Sequence, residues 1–394
     1  MPDAPANVLF VTREMAGDRR YGIGRSLMPI VEVLQARGWR VRYLCQEDLP
    51  MKARTRQYRW SEWLRGFPGV RKSASRQQLV CALFERLHMG WFAARVTQAD
   101  RYSVVHLHDP WLACGFYLGA RLLRLPSIRW GLTEHGFGSY SRATHDDGLL
   151  QGATAQRWLR RWESWILSKA HFVTAPTKLA LQQLARDLCL PCVSPSWRSI
   201  PHASPVRPTW QRDTARQHLG WGAHDLVVLG VGRLVALKRF DLLVDACAQL
   251  MGEYPNLRLV LLGDGDAEGL LAHAASVGMD GRVRCESVND VWPYYAAADV
   301  YVSTSTTESF GLANLEALHA GLACICTAVG GVPEVLGAGA WLVPVDLHAV
   351  RSALEVLIKD PSQRLHWSVR AQRQSGESPD LASIVEAYAT LYTA

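Results

Sequence analysis

Short apolar runs rich in β-branched residues alternate with segments of helical period from one end of the chain to the other. A strand that must pass through a helix before the next strand begins cannot build a hairpin sheet. It builds a parallel one, covered by its own crossover helices. In the first half the runs are Asn7–Val11, Arg40–Leu44, Ser103–His106, Ser127–Leu132 and His171–Thr174, separated by helical stretches such as Ser26–Arg37 and Thr177–Leu188. In the second half they are Leu226–Val231, Arg258–Leu262, Arg282–Cys285, Val300–Ser303 and Ala323–Thr327. A chain of 394 residues holds two domains at ~100–200 residues each. Two α/β sheets of similar size follow.

Between the two sets lies Ile200-Pro201-His202-Ala203-Ser204-Pro205-Val206-Arg207-Pro208. Its three prolines lack amide donors and disfavour helix and sheet interior alike, so it reads as the interdomain linker. The resulting division is 1–203, 204–380, and a last helical segment 381–394 that follows the Gly376–Pro379 break and returns to the first domain. No apolar run approaches the ~18–20 residues of a spanning helix. The start Met1-Pro2-Asp3-Ala4-Pro5 lacks the basic-then-apolar pattern of a secretory signal. The chain therefore reads as cytoplasmic. Nine cysteines in mostly apolar surroundings, among them Cys81, Cys114, Cys247 and Cys324, read as small buried hydrophobes, and Cys189-Leu190-Pro191-Cys192 lacks the second pair a zinc site needs.

Charge divides unevenly. Residues 1–200 carry 29 Lys and Arg against 15 Asp and Glu, a net +14, whereas residues 201–394 carry 14 against 21, a net −7. Within residues 51–100, ten basic side chains are interleaved with Tyr58, Trp60, Trp63, Phe67, Trp91 and Phe92. Such a half calls for an anionic partner: nucleic acid, acidic lipid or an anionic substrate.

Two stretches of the second half carry chemistry. In Val228-Leu229-Gly230-Val231-Gly232-Arg233-Leu234-Val235-Ala236-Leu237-Lys238 a strand enters a glycine turn, where backbone amides can approach a phosphate and Arg233 and Lys238 supply positive charge. A dinucleotide fingerprint would place a third glycine where Val235 stands, so the turn suits a diphosphate rather than a dinucleotide cofactor. In Thr307-Glu308-Ser309-Phe310-Gly311-Leu312-Ala313-Asn314-Leu315-Glu316 two carboxylates sit eight residues apart around a helix start. Along one side of a helix they would be up to ~12 Å apart. That is too far for a glycosidase pair, and it suits two hydroxyl-bearing rings at either end of a diphosphate. Ser309, Phe310, Gly311 and Leu312 would present amides at the positive end of the helix dipole.

With these motifs in hand, the chain resembles the retaining glycosyltransferases of family 4, the glycosyl transferases group 1. Glu308 and Glu316 match the E-x7-E motif, Gly232, Arg233 and Lys238 the Gly-Arg-x4-Lys motif, and Gly263-Asp264-Gly265 the G-x-G that follows the next strand. Gly321, Val329-Gly330-Gly331-Val332-Pro333-Glu334 and the early loop Tyr21-Gly22-Ile23-Gly24 extend the resemblance to nearly the whole chain. It implies an α/β GT-B fold, with two Rossmann-like domains whose parallel sheets face across a cleft and a C-terminal helix crossing back to the first domain.

It also implies a nucleotide-sugar donor on the second domain, UDP- or GDP-linked, and a saccharide or lipid-linked saccharide acceptor on the first, in cell-envelope polysaccharide or lipopolysaccharide assembly. Arg233 and Lys238 would neutralise the departing diphosphate, Glu308 would hold hydroxyls of the transferred sugar, and Glu316 those of the ribose. His135, in Leu132-Thr133-Glu134-His135-Gly136, would lie near the anomeric carbon, while His106 and His108 read as strand-end polar groups. Gly22, Gly24, Gly232, Gly263, Ser309, Phe310, Gly311 and Leu312 would line the donor. No protein nucleophile, cofactor or metal is implied, and Asp264-Gly265-Asp266 reads as a turn and cap. The family's Asn-Gly-Val-Asp after Ile-Pro is replaced here by His202-Ala203-Ser204.

In Gln156–Lys169 the residues Trp158, Trp162 and Trp165 fall on one helical face, beside Arg157, Arg160 and Arg161. That face either packs on the first domain or joins 54–76 as a surface for anionic lipid, which would place the enzyme peripherally on the inner face of the cell membrane. Nucleic-acid binding would leave the donor motifs without a purpose. Transfer to a small soluble metabolite and a non-transferring sugar-nucleotide epimerase are the alternatives within the same fold.

Overall fold

The computed structural model describes residues 6–16, 22–150, 152–205 and 210–393. The chain divides into two units. One is residues 1–202 with 381–394, and the other is residues 203–380. The linker stretch of three prolines straddles that boundary, and Val206, Arg207 and Pro208 lie outside the described residues.

In the first unit the strands are β1 (Asn7–Val11), β2 (Arg40–Leu44), β3 (Val104–Leu107), β4 (Arg129–Thr133), β5 (Phe172–Ala175) and β6 (Trp197–Ser199). They form one sheet in the order β2-β1-β3-β4-β5-β6, and every pairing is parallel. In the second unit β7 (Leu226–Val231), β8 (Leu257–Leu262), β9 (Val283–Glu286), β10 (Val300–Ser303), β11 (Ala323–Thr327) and β12 (Trp341–Val343) form another parallel sheet, ordered β12-β11-β10-β7-β8-β9. That second order is the doubly wound Rossmann one, with its reversal between β7 and β10; the first sheet reverses between β1 and β3. Ligands of such sheets bind at the carboxyl ends of the strands, where the order reverses.

Strands buried on both faces read as continuous apolar runs, which is why most were visible in the sequence. In the second sheet Val228, Leu259, Leu261, Val302 and Ile325 feed one core, while Leu229, Val260, Tyr301, Cys324 and Cys326 feed the other. Alternate residues therefore serve opposite helical layers. The two strands absent from the sequence reading, β6 and β12, are three-residue edge strands, too short to carry a periodic signal. Cys81, Cys114, Cys247 and Cys324 are buried free thiols, and Cys189 and Cys192 are free and exposed.

The helix Leu381–Thr393 belongs to the first unit. Its Tyr392 hydroxyl is hydrogen-bonded to His106 Nδ1 at 2.7 Å, and Arg129 Nε donates to the Leu391 carbonyl at 3.1 Å. Among the described residues, no helix is long and apolar enough to cross a membrane.

Candidate active site

In the second unit, the reversal between β7 and β10 brings the two sequence motifs together. The turn after β7 contains Gly232 and Arg233 and runs through the short helical turn Ala236–Lys238; the loop after β10 contains Glu308. Thr306 donates its amide to the Leu237 carbonyl at 2.9 Å, and the Thr304 hydroxyl donates to the Lys238 carbonyl at 2.9 Å. With the backbones stitched, Lys238 Nζ reaches Glu308 Oε2 at 2.6 Å, a half-buried ion pair between residues seventy apart in sequence. Arg233 stays exposed and has no ion pair among the described residues.

Two glycines are required by close approach. Gly263 adopts a φ of +147°, and a Cβ there would lie 2.0 Å from the Gly232 carbonyl oxygen, so the turns after β7 and β8 meet backbone to backbone. Gly330 has a φ of +56°, and a Cβ would stand 1.9 Å from the Glu308 carbonyl oxygen, which also accepts the Gly331 amide at 2.8 Å. The Gly330-Gly331 pair thus fixes the backbone of Glu308. Asp266 caps the helix Ala267–Ser276 by accepting the Gly269 amide, and Asp264 accepts from the Ser287 hydroxyl.

The two glutamates do not share a helix face, contrary to the reading of their spacing. The helix is Leu312–His319 with Gly311, at a φ of +81°, as its N-cap, so Glu308 sits in the preceding loop and Glu316 in the second turn. Of Ser309, Phe310, Gly311 and Leu312, only Leu312 is helical, and Phe310 is buried. Left-handed backbone at Gly311 turns the chain before a helix spanning both carboxylates can begin. Glu316 is buried and accepts from the Tyr295 hydroxyl at 3.1 Å. Ser305 Oγ and Asn314 Nδ2, buried near this loop, have no hydrogen-bond partner among the described residues.

The first unit holds His135, Gly22 and Gly24. Gly22 begins the helix Gly22–Ala36, whose Ile23 and Gly24 amides donate to the Glu14 carboxylate at 2.6 and 2.8 Å, and Tyr21 lies outside the described residues. Glu14 therefore stands where an anion would stand at that helix end. His135 belongs to a cluster that the sequence showed only in part. Its Nε2 is hydrogen-bonded to His108 Nδ1 at 2.9 Å, its ring stacks parallel to that of His202 at 6.2 Å, and His108 lies 4.3 Å from His106 between ring centres.

Burial holds all four imidazoles neutral. His106 is pushed down to about 3 and His202 to about 4. His108 and His135 lie well below the ordinary histidine range, through burial first and their charged or titratable neighbours second. His106 is structural, with its Nε2 on Thr133 at 2.7 Å and its Nδ1 on Tyr392. His108 is not a satisfied strand-end group: its buried Nε2 has no partner among the described residues.

Beside these rings lies a second buried set. Asp109 caps the helix Pro110–Leu122 and meets Arg86 at 3.5 Å and Arg13 at 3.7 Å. Glu163 accepts the Tyr140 and Ser141 amides at 2.7 and 3.0 Å, and burial raises it to about 7. Glu134 is raised well above the carboxylate range by burial and then by Glu163 and Asp109, and its Oε1 has no partner among the described residues. Glu134 and Asp109 are sequence neighbours of His135 and His108, and His202 stands in the stretch that replaces the family's Asn-Gly-Val-Asp. Their common signal is position, since each directly follows or nearly follows a strand at its carboxyl end.

Two parallel Rossmann-like units, each with its polar residues at the strand carboxyl ends, define a GT-B protein. Over 98% of this chain and 98% of its own, sucrose-phosphate synthase from Thermosynechococcus elongatus superposes at a TM-score of 0.73 with 22% identity. HepE of Anabaena, solved with UDP-glucose, superposes at 0.72 with 16% identity over 98% of this chain and 99% of its own. Residues 211–374 match the family model "Glycosyl transferases group 1", and residues 21–191 match "Glycosyl transferase 4-like domain". The chain belongs to this glycosyltransferase family, family 4. A D-inositol 3-phosphate glycosyltransferase of Mycobacterium sp. (strain KMS) is 29% identical over 66% of this chain and 60% of its own length. Another, from Kineococcus radiotolerans, is 37% identical over 42% of this chain and 43% of its own. The chain thus spans about three fifths of the length of the first of these relatives.

Proposed function

We propose that the protein is a retaining glycosyltransferase that takes a sugar from a nucleoside-diphosphate donor bound by the second unit. The observation that carries this reading is the stitched pair of loops after β7 and β10, which sets the Lys238–Glu308 ion pair beside the Gly232 turn with Arg233 left exposed. A diphosphate leaving group needs fixed positive charge where its own charge develops; Arg233 and Lys238 supply it, and Glu308, tethered by Lys238, accepts hydroxyls of the transferred sugar. Glu316 accepts the ribose hydroxyls. His135, neutral and braced by His108, is the first unit's candidate for a role in transfer, one that does not require it to take a proton. The acceptor hydroxyl attacks on the face from which the diphosphate leaves, and a phosphate oxygen receives its proton. Anomeric configuration is then kept without a protein nucleophile, and catalysis comes from positioning and from charge stabilisation. No metal or cofactor takes part.

The first unit holds the acceptor, a saccharide or lipid-linked saccharide of cell-envelope polysaccharide assembly. A second reading, a small phosphorylated polyol, is favoured by the named activity of the mycobacterial relative. Screening UDP-, GDP- and ADP-sugars by melting temperature, then by product with oligosaccharide, lipid-linked and inositol phosphate acceptors, tests both readings. A ligand of the native state raises the melting temperature by mass action. No shift with any nucleotide sugar would refute the donor assignment, and transfer to inositol phosphate alone would select the second acceptor.

A further inference from the structure

The helix Met51–Arg65 is built the wrong way round for a helix facing water. Its inward stripe is Ala53, Gln57, Ser61 and Leu64, small or polar in all but one position, and Ser61 is its only buried residue. That stripe packs on the helix Ala74–Asp100, with Cys81 Sγ donating to the Ser61 carbonyl and Gln57 Oε1 hydrogen-bonded to His88 at 2.9 Å. The large side chains point out. Tyr58 is 66% exposed, Trp60 48%, Trp63 55% and Phe67, just beyond the helix, 45%. The last three form an edge-to-face ladder, with ring centres 5.3 and 4.7 Å apart. Burial in the fold does not account for these rings, and a solvated face would not carry them.

Cations surround the ladder. Lys52, Arg56, Arg59, Arg71 and Lys72 are exposed and make no ion pair among the described residues, and the only acid on the helix, Glu62, is paired with Arg65 at 2.5 Å. Next to it opens a cleft of about 500 Å³ whose lining includes Lys52, Arg56, Arg95, Phe92 and Val96. Its one acid, Asp100, is engaged by Arg42 at 3.5 Å. The helix Ala153–Lys169 does not repeat the pattern. Trp162 stacks on Trp111 at 3.6 Å and Trp165 meets Tyr117 edge-on, so the three tryptophans do not form one outward face; its buried stripe is Leu159, Glu163, Ile166 and Leu167.

We propose that the outer face of Met51–Lys72 docks on an anionic lipid bilayer, the aromatic ladder settling at the headgroup level and lipid phosphates seating on Lys52, Arg56 and Arg95. Aromatic rings beside basic side chains on one convex helix match the chemistry of that interface, where rings sit among headgroups and arginines pair with phosphate. A nucleic acid would instead ask for rings on a platform or in a groove on which bases can stack. The inference stands on this face alone and does not depend on the sugar transferred.

The test uses the full chain sedimented with vesicles of phosphatidylcholine alone or mixed with phosphatidylglycerol, and a DNA duplex as competing polyanion. Binding is expected only with phosphatidylglycerol, and it should be released by about 0.5 M salt. With about 1 kcal/mol for each basic residue near the surface, the Arg56→Glu, Arg59→Glu, Arg71→Glu variant should bind at least about a hundredfold more weakly. The Trp60→Ala, Trp63→Ala, Phe67→Ala variant should lose about tenfold or more, with an unchanged melting temperature because the rings are exposed. Arg284→Glu, an exposed reversal in the second unit, should leave binding within about twofold and so separate this face from net charge. Equal recovery on neutral and anionic vesicles, wild-type binding by both triple variants, or displacement of the chain from vesicles by DNA at matched phosphate would overturn the proposal.

Discussion

The two units wind six parallel strands each, yet they furnish their strand ends in opposite ways. The second unit uses glycines and fixed charge: Gly263 against Gly232, Gly330 against Glu308, and Lys238 on Glu308. The first uses buried titratable side chains, four neutral imidazoles and the carboxyls of Glu134 and Glu163 raised by burial. A site made from backbone turns and one ion pair is held by close approach and Coulomb attraction. Buried imidazoles and carboxyls are different: their charge state, and with it the stability of the unit around them, depends on pH.

The sharpest way to break this contrast is to remove the fixed charge. Arg233→Ala and Lys238→Ala should each lower glycosyl transfer by on the order of 10²–10³, the cost of losing one preorganised donor at a developing charge, while the melting temperature stays near wild type. Wild-type kcat in either purified variant would remove that side chain from the leaving group.

A smaller effect separates the glutamates. Glu316→Gln should weaken binding of free nucleoside diphosphate roughly tenfold or more, the worth of a hydrogen bond to a charged acceptor. Glu308→Gln should leave that binding largely intact and lower turnover instead. Calorimetry on the two variants reads the split, and equal nucleotide affinity in both would remove Glu316 from the ribose.

A third effect lies in the first unit and has a definite sign. His106 and His202 have folded-state pKa values of about 3 and 4, below the ordinary ~6.5 of an unfolded histidine. Unfolding therefore takes up protons below pH ~6.5, and each such residue costs the fold about 1.4 kcal/mol per pH unit down to its folded pKa. Glu163, raised to about 7, acts oppositely and weakens the fold as pH rises from ~4.5 to about 7. Hydrogen exchange resolved by unit should show protection in residues 8–175 fall between pH 6 and 4.5 before that of residues 226–343. Simultaneous loss in both would mean that the buried imidazoles do not set the acid limit.

Much of the second unit could be read from the chain itself, because its chemistry is local in sequence. Gly232, Arg233 and Lys238 occupy one turn, and Glu308 and Glu316 one loop and helix. The first unit's cluster could not be read in the same way. Its members come from the ends of β3, β4 and β6 and from helices between them, so no spacing in sequence encodes their meeting.

The sequence by itself determined the two parallel sheets and the family motifs, because strands buried on both faces must be apolar throughout and close-approach turns must be glycine. Tertiary structure alone decided three things. The first is that Lys238 pairs with Glu308, through loops that become neighbours only when β10 inserts beside β7. The second is that His108 and His202 join His135, through β3, β4 and β6 arriving at one end of a sheet. The third is which tryptophans face outward. A helical wheel gives a residue's angle about its own axis, and only the neighbour packed against that axis settles which angle is inside. For Met51–Arg65 the inside proved to be the small and polar stripe, which left Trp60 and Trp63 to the solvent side.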